Sequence, residues 1–432
     1  LQTSAIFILG AFLSAIVLGL PIAHSMLFTS LVFVLAIGQG PSALILTFSR
    51  LMSGFSFSLL AIFLFVCLGV LMNETKLADY IVDFFNLAVG RIRGGLGLVT
   101  TISCASCGPL TGSAVGTASA VGSVMYPQMI RRGYDSRFCT VLIAFSGILG
   151  SFIPPSISGL VYAITVGLPV LGVWVATAGV GLLYLALLST ITVILSRRRG
   201  YGSLDEEVTP SILFKSFMRA LPAGLVPLCV LGSIYAGIAT PTEAGAIGIV
   251  ASVMLGFFHY RTLTSFEQIK RAMYESAVVT AMVMFLVCAS YSLSYVLTVT
   301  GSIKAIAHMA FMLTTNKYML LLLTGGLLLI LGCFMDDTAI MVLLAPVAAA
   351  ILVPTGIHPY HLAAYFTSVC LIGLVTPPVG TVLYAACAIS NEPLPGLLKD
   401  IAIYMIPAII MVLMITFVPG VSLFLPKLLG FV

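Results

Sequence analysis

Two clusters of small, oxygen-bearing residues interrupt an otherwise apolar chain, and each pairs a glycine-rich tip with a proline pair. The first holds Ser106, Thr111, Gly112 and Ser113, then Gly150, Ile153, Pro154-Pro155 and Ser156. The second holds Gly332, Asp337 and Thr338, then Gly373, Thr376, Pro377-Pro378 and Val379. The chemistry these residues offer is coordination of a hard monovalent cation, sodium, by oxygen. Hydroxyls supply some ligands. A proline pair supplies more, because it breaks a helix and frees carbonyls at the C-terminal end of the half-helix before it. The half-helix N-termini present N–H groups and positive dipole ends to an anion. That places Ser113, Pro154, Ser156, Asp337 and Pro377 nearest a bound anion. Any one Gly or Ser here can equally be a packing residue that lets two helices approach. The paired constellation, not a single residue, points to ion binding.

Asp336 and Asp337 are acids in an apolar region, which marks them for function. The competing reading is that one caps the helix that follows. Paired intramembrane acids also raise aspartyl protease chemistry. These two, however, are adjacent on one tip, with no GxGD string and no second acid on a facing helix. Thr240-Pro241-Thr242-Glu243 has the form of a capping box, a structural role. The nine cysteines are scattered through apolar segments as packing residues. Cys104-Ala105-Ser106-Cys107 lacks the second pair or nearby histidine of a zinc site. Trp174, Tyr162 and Tyr384 read as interface anchors or packing, and the five histidines fall at predicted span ends.

The elements that position these residues must be membrane helices. Hydrophobic residues make up 60% of the chain and charged residues 8%, with mean hydropathy +1.18, far from the roughly 25% charge of soluble domains. The apolar runs are too long for the strands of an outer-membrane barrel. The net charge of +5 says little about partners, because in a membrane protein its location matters more. No basic segment precedes the apolar opening at Leu1, so no cleavable signal peptide is expected. Spans are predicted near 4–20, 22–38, 55–72, 138–166, 171–196, 220–238, 243–260, 277–299, 362–390 and 401–420. Both proline pairs fall inside spans, at 138–166 and 362–390.

Residues 95–127 hold six glycines and nine Ser or Thr, divided at Gly108-Pro109-Leu110-Thr111-Gly112-Ser113 into two arms of about fifteen residues. A span needs about twenty, so the segment reads as a re-entrant helical hairpin. Two ordinary spans joined by a polar turn are the alternative. Residues 318–353 repeat the layout around Met335-Asp336-Asp337-Thr338. Each tip precedes its proline pair by a similar distance, 42 residues from Gly112 to Pro154 and 41 from Asp336 to Pro377. Residues 75–90 and 301–315 read as interfacial helices.

Charge placement orients this layout. Arg91 and Arg93 precede the first hairpin and Arg131, Arg132 and Arg137 follow it, so both flanks are expected in the cytoplasm. Of the 19 Lys and Arg, all but Arg50, Lys304, Lys317 and Lys427 fall on that side. Five crossings and one hairpin per half invert the second half relative to the first. The expectation is an all-α polytopic membrane protein of two inverted repeats, each with a re-entrant hairpin and a Pro-broken transmembrane helix. Residues 1–199 form the first repeat, 200–219, with Asp205-Glu206-Glu207, a cytoplasmic linker, and 220–432 the second. Broken helices at matching positions of two repeats point to a secondary transporter rather than a channel.

The ordered motifs Gly94-Gly95, Thr111-Gly112-Ser113, Arg131-Arg132-Gly133-Tyr134-Asp135 and Ile153-Pro154-Pro155-Ser156 resemble the large membrane subunit of TRAP transporters, the DctM or SiaM type. Thr240-Pro241-Thr242-Glu243-Ala244, Phe334-Met335-Asp336 and Thr376-Pro377-Pro378-Val379-Gly380 resemble the same family's second half. The likeness covers essentially the whole chain. Cys104, Cys107 and Cys333 stand where smaller residues would be expected. The resemblance implies a bacterial inner-membrane, sodium-coupled elevator importer of organic anions, such as sialic acid, C4-dicarboxylates or sulfonates. It also implies a periplasmic substrate-binding protein and a small four-helix membrane subunit as partners. Neither an organic cofactor nor nucleic acid is expected. A self-sufficient sodium/carboxylate symporter of similar architecture is the other reading.

Overall fold

The computed structural model describes residues 10–12, 14–15, 18–36, 45, 49, 52, 60–90, 92, 94–201 and 209–432. The predicted span 4–20 lies largely outside these residues, as do Arg50, Arg91, Arg93 and Asp205-Glu206-Glu207. Every regular element among the described residues is helical. The first half holds α1 (Ile22–Ala36), α2 (Leu60–Glu74), α3 (Leu77–Val89), α4 (Gly95–Thr111), α5 (Ala114–Arg131), α6 (Ser136–Gly147), α7 (Leu149–Phe152), α8 (Ile157–Val166) and α9 (Val170–Arg198). The second holds α10 (Pro210–Tyr235), α11 (Pro241–Met254), α12 (Phe266–Val299), α13 (Ser302–Leu313), α14 (Lys317–Gly332), α15 (Asp337–Leu352), α16 (Pro359–Gly373), α17 (Thr381–Ser390), α18 (Leu398–Phe417) and α19 (Gly420–Leu428).

By length and apolarity six helices among the described residues can cross a membrane, and two bent pairs, α2/α3 at 62° and α6–α7/α8 at 45°, bring the number to eight. The hairpin arms α4, α5, α14 and α15 have 17, 18, 16 and 16 residues. At 1.5 Å per residue these are about 24–27 Å long, short of the roughly 30 Å hydrocarbon core. With its terminal 3-10 turn α15 reaches Thr355, a 19-residue segment long enough to cross, so length alone does not separate hairpin from span there. Helix α10 begins at Pro210, so residues 210–219 of the expected linker are helical. Thr209-Pro210 starts the helix, since a first-turn proline forfeits a hydrogen bond the helix could not make there.

The helices fall into two packed groups. In one, α1, α2, α10, α11 and α12 pack on one another, with α3 against α10. In the other, both hairpins and both broken helices pack around α9, α18 and α19. The groups meet where α2 and α3 touch the first hairpin and α12 touches α15. Within the second group the packing is reciprocal. Helix α8, following the first break, packs on α15 of the second hairpin; α17, following the second break, packs on α5 of the first.

Trp174 is fully buried in α9 rather than at the interface. Its Nε1 donates to the Ser156 carbonyl at 3.0 Å, which also accepts from Leu160 N–H at 3.1 Å, so the indole ties α9 to the capped start of α8. Tyr162 is buried as well, whereas Tyr384 is exposed. The capping box at Thr240 forms as its sequence predicts, Thr240 N–H donating to Glu243 at 2.8 Å. Of the histidines, His361 sits in the first turn of α16, at the helix end as expected, buried against the Ser422 hydroxyl at 2.7 Å. All nine cysteines are unpaired.

Candidate ion and anion site

Each hairpin meets its broken helix through a pair of glycines, and the reason is steric. A β-carbon on Gly108 would lie 2.6 Å from the Gly150 Cα, and one on Gly332 would lie 2.8 Å from the Gly373 Cα. Carbon atoms pack at about 3.5–4.0 Å, so only glycine permits backbone contact at these two places. A single backbone hydrogen bond then pins each junction. Ile157 N–H donates to Gly112 O at 3.0 Å in the first half, and Gly380 N–H donates to Cys333 O at 3.0 Å in the second. Both proline pairs adopt cis bonds.

In the first half, the oxygen-bearing residues expected to share a site come together in part. Gly112 closes α4 at φ 63°, a left-handed conformation that suits glycine. The Thr111 hydroxyl is 2.5 Å from the Thr117 hydroxyl, with Ser113 O at 3.3 Å. Ser113 and Ser156 each cap a helix, accepting from Gly116 N–H at 3.4 Å and Gly159 N–H at 3.1 Å. A capping hydroxyl uses one lone pair and keeps another for a ligand. Both capped N-termini, of α5 and α8, therefore sit beside the Gly112–Ile157 bond. Gly150 and Pro154 are buried there and Ile153 is half-buried. Ser106 is half-buried within α4, away from the tip turn.

In the second half, Asp336 is the cap of α15, its carboxylate accepting from Thr338 N–H at 3.2 Å. That assigns the capping alternative to Asp336. Asp337, 6% exposed, instead accepts a hydrogen bond from the Ser158 hydroxyl in α8. It therefore ties the second hairpin to the first broken helix rather than only to its own. Gly380, at φ 62°, holds open the second break. A β-carbon there would lie 2.9 Å from Leu374 O, which already accepts from the Val382 and Leu383 N–H groups, and 3.1 Å from Thr376 O, so only glycine fits between these two carbonyls. A backbone oxygen such as Thr376 O is the kind of ligand a hard cation takes. The Thr376 hydroxyl donates to Ile372 O at 2.7 Å, leaving its lone pairs available. Thr338 is buried beside Asp337, whereas Pro377 and Val379 are half-buried.

Sequence reasoning missed Gly108, Thr117, Ser158 and Gly380. Gly108 and Gly380 carried a signal, since each belongs to a motif already singled out. Nothing in the sequence reveals that Ser158 faces Asp337, 179 residues away.

The family model for "Tripartite ATP-independent periplasmic transporter, DctM component" matches residues 9–421. The C4-dicarboxylate TRAP transporter large permease protein DctM of Pseudomonas aeruginosa is 33% identical over 374 residues, covering 87% of each chain. The isethionate TRAP transporter permease protein DctMQ of Oleidesulfovibrio alaskensis is 31% identical over 415 residues, covering 96% of this chain and 65% of that one. Among solved structures, the Alcanivorax borkumensis YdaH transporter superposes with a TM-score of 0.59 at 18% identity, over 91% of this chain and 90% of that one. At that identity the likeness concerns fold alone.

Proposed function

Because this chain belongs to the DctM family of TRAP transporter large permeases, we propose that it is the sodium-coupled, membrane-embedded subunit of an organic-anion importer. It is a multi-pass membrane permease and not an enzyme. The observation that carries the finer reading is the duplicated junction, Gly108 on Gly150 and Gly332 on Gly373, each beside half-helix N-termini.

In this reading sodium is held at two places. Thr111, Gly112, Ser113, Gly150, Ile153 and Ser156 surround the first, and Gly332, Thr376, Val379 and Gly380 the second. Asp337 lies between them through Ser158, so ion occupancy in one half is felt by the other. The anion sits against the N-termini of α5, α8, α15 and α17, whose N–H groups and dipoles favour negative charge. Carboxylates and sulfonates both suit it. The curated relatives above are named for one of each. The reciprocal packing of α8 on α15 and α17 on α5 supports treating hairpins and breaks as one body. That body, with α9 and α18, slides as an elevator against α1, α2 and α10–α12. The two halves are inverted repeats in the bacterial inner membrane, served by a small four-helix subunit and a periplasmic binding protein.

Reconstitution tests this. Purified alone in proteoliposomes, the chain gives negligible uptake under an inward sodium gradient; adding the small subunit and loaded binding protein restores it. Robust uptake by the chain alone favours the self-sufficient symporter.

A further inference from the structure

A cavity of about 690 Å³ opens between α3, the base of the first hairpin and the N-terminal turns of α10, apart from both junctions. Arg131, Arg132, Lys215 and Arg219 bring four cations to its wall against one carboxylate, Asp83. Arg131, Lys215 and Arg219 form no ion pair with any described residue. The charge excess is therefore not neutralised within the described chain.

The wall also holds a buried amide. Asn86 is 8% exposed; its Nδ2 donates to Gln128 Oε1 at 2.7 Å, while its Oδ1 is buried without a partner. Turning both amides together keeps their mutual bond and places an Asn86 N–H at that buried position instead. In either orientation a buried polar atom is left over, and such atoms cost about 1–3 kcal/mol unless a ligand or water completes them. The cavity wall thus combines these cations with the Asn86–Gln128 amide pair.

Its rim is apolar. Helix α10 is long and apolar enough to cross a membrane, and around Lys215 and Arg219 it exposes Ile212, Phe214 and Phe217. Phe217 lies against Phe84 of α3 with ring centroids 5.4 Å apart. A soluble anion would use the cations and leave these rings idle. A phospholipid uses both, with phosphate among the arginines and acyl chains along the exposed apolar side chains of α10. Basic pockets between membrane helices take anionic headgroups for this reason. We propose that this cavity binds the headgroup of an anionic phospholipid, bridging α3, α10 and the first hairpin.

The test is native mass spectrometry of the full chain in neutral detergent, titrated with phosphatidylglycerol, phosphatidylcholine and inorganic phosphate in parallel. Each basic residue near anionic lipid contributes about 5-fold in affinity. The Arg131→Gln/Arg219→Gln variant is therefore expected to bind phosphatidylglycerol roughly 30-fold more weakly. Asp83→Asn removes the opposing charge from an exposed position and should bind it about 5-fold more tightly. This gain cannot come from misfolding, so the test holds even if the double variant fails to fold. Phosphatidylglycerol binding unchanged in the double variant, or not raised in Asp83→Asn, overturns the proposal. So does phosphatidylcholine binding as tightly, or inorganic phosphate displacing the lipid, which would mark a site for soluble anions.

Discussion

Alanine at Gly373 tests the junction that the proposed second sodium site depends on. Its β-carbon would lie 2.6 Å from the Gly332 Cα and 2.9 Å from the Gly332 carbonyl carbon. Restoring a normal carbon contact of about 3.5–4.0 Å requires the hairpin to retreat by about 1 Å. The Gly380–Cys333 bond, 3.0 Å long, spans the same junction and would not survive that retreat. Overpacking of this kind costs about 1–3 kcal/mol, and here the loss falls on the backbone assigned to the proposed sodium site. Gly326→Ala, on the same helix α14, is the control: a β-carbon there meets nothing within 4 Å, and alanine favours the helix by about 1 kcal/mol. Thermal unfolding and sodium-dependent uptake in proteoliposomes, at matched protein amounts, separate the two. Gly373→Ala should unfold at lower temperature and lose uptake at every sodium concentration, while Gly326→Ala stays at or above wild type. A Gly373→Ala protein with wild-type stability and sodium dependence refutes the packing argument.

Thr376→Val keeps the shape and removes a hydroxyl. If that oxygen is a ligand, sodium affinity should fall by roughly 5- to 150-fold, the equivalent of about 1–3 kcal/mol; unchanged sodium dependence would leave at most the Thr376 carbonyl. Ser158→Ala strands the buried Asp337 carboxylate and should cost about 1–3 kcal/mol, whereas adding Asp337→Ala should recover part of it. Strict additivity in that double-mutant cycle would mean the pair does not interact. Single cysteines replacing Ile92 and Arg137, in a background with the exposed Cys229 changed to Ser, should label only from the cytoplasm, and one replacing Pro354 only from outside. Opposite labelling at 92 and 137 would show that the first hairpin crosses the membrane.

What the sequence makes legible here is whatever chain geometry alone determines. Proline pairs break helices wherever they fall, so the 45° bend at the first break and the arms on either side of Gly112 follow from composition. Local caps are equally legible, and Thr240–Glu243 and Asp336–Thr338 need no tertiary partner. Long-range pairing is not. Asp337 belongs by sequence to the second half, yet its hydrogen bond goes to Ser158 because α8 packs on α15, and no local pattern encodes which hairpin a half-helix chooses. Trp174 is a similar case: the sequence leaves interface anchor and packing both open, and the burial of the indole against the start of α8 decides for packing. Likewise, the basic side chains at 131, 132, 215 and 219 lead to the expectation of a cytoplasmic flank without revealing that they line one cavity.

The central claim is that sodium, held at the paired junctions, drives anion uptake through this chain. It is tested most directly by uptake into proteoliposomes containing the chain and its small subunit, with loaded binding protein outside. The external sodium is then replaced by potassium at constant ionic strength and pH. The account predicts that uptake follows the sodium gradient and collapses to background in potassium. Equal uptake in potassium would contradict it, whatever else the junctions hold.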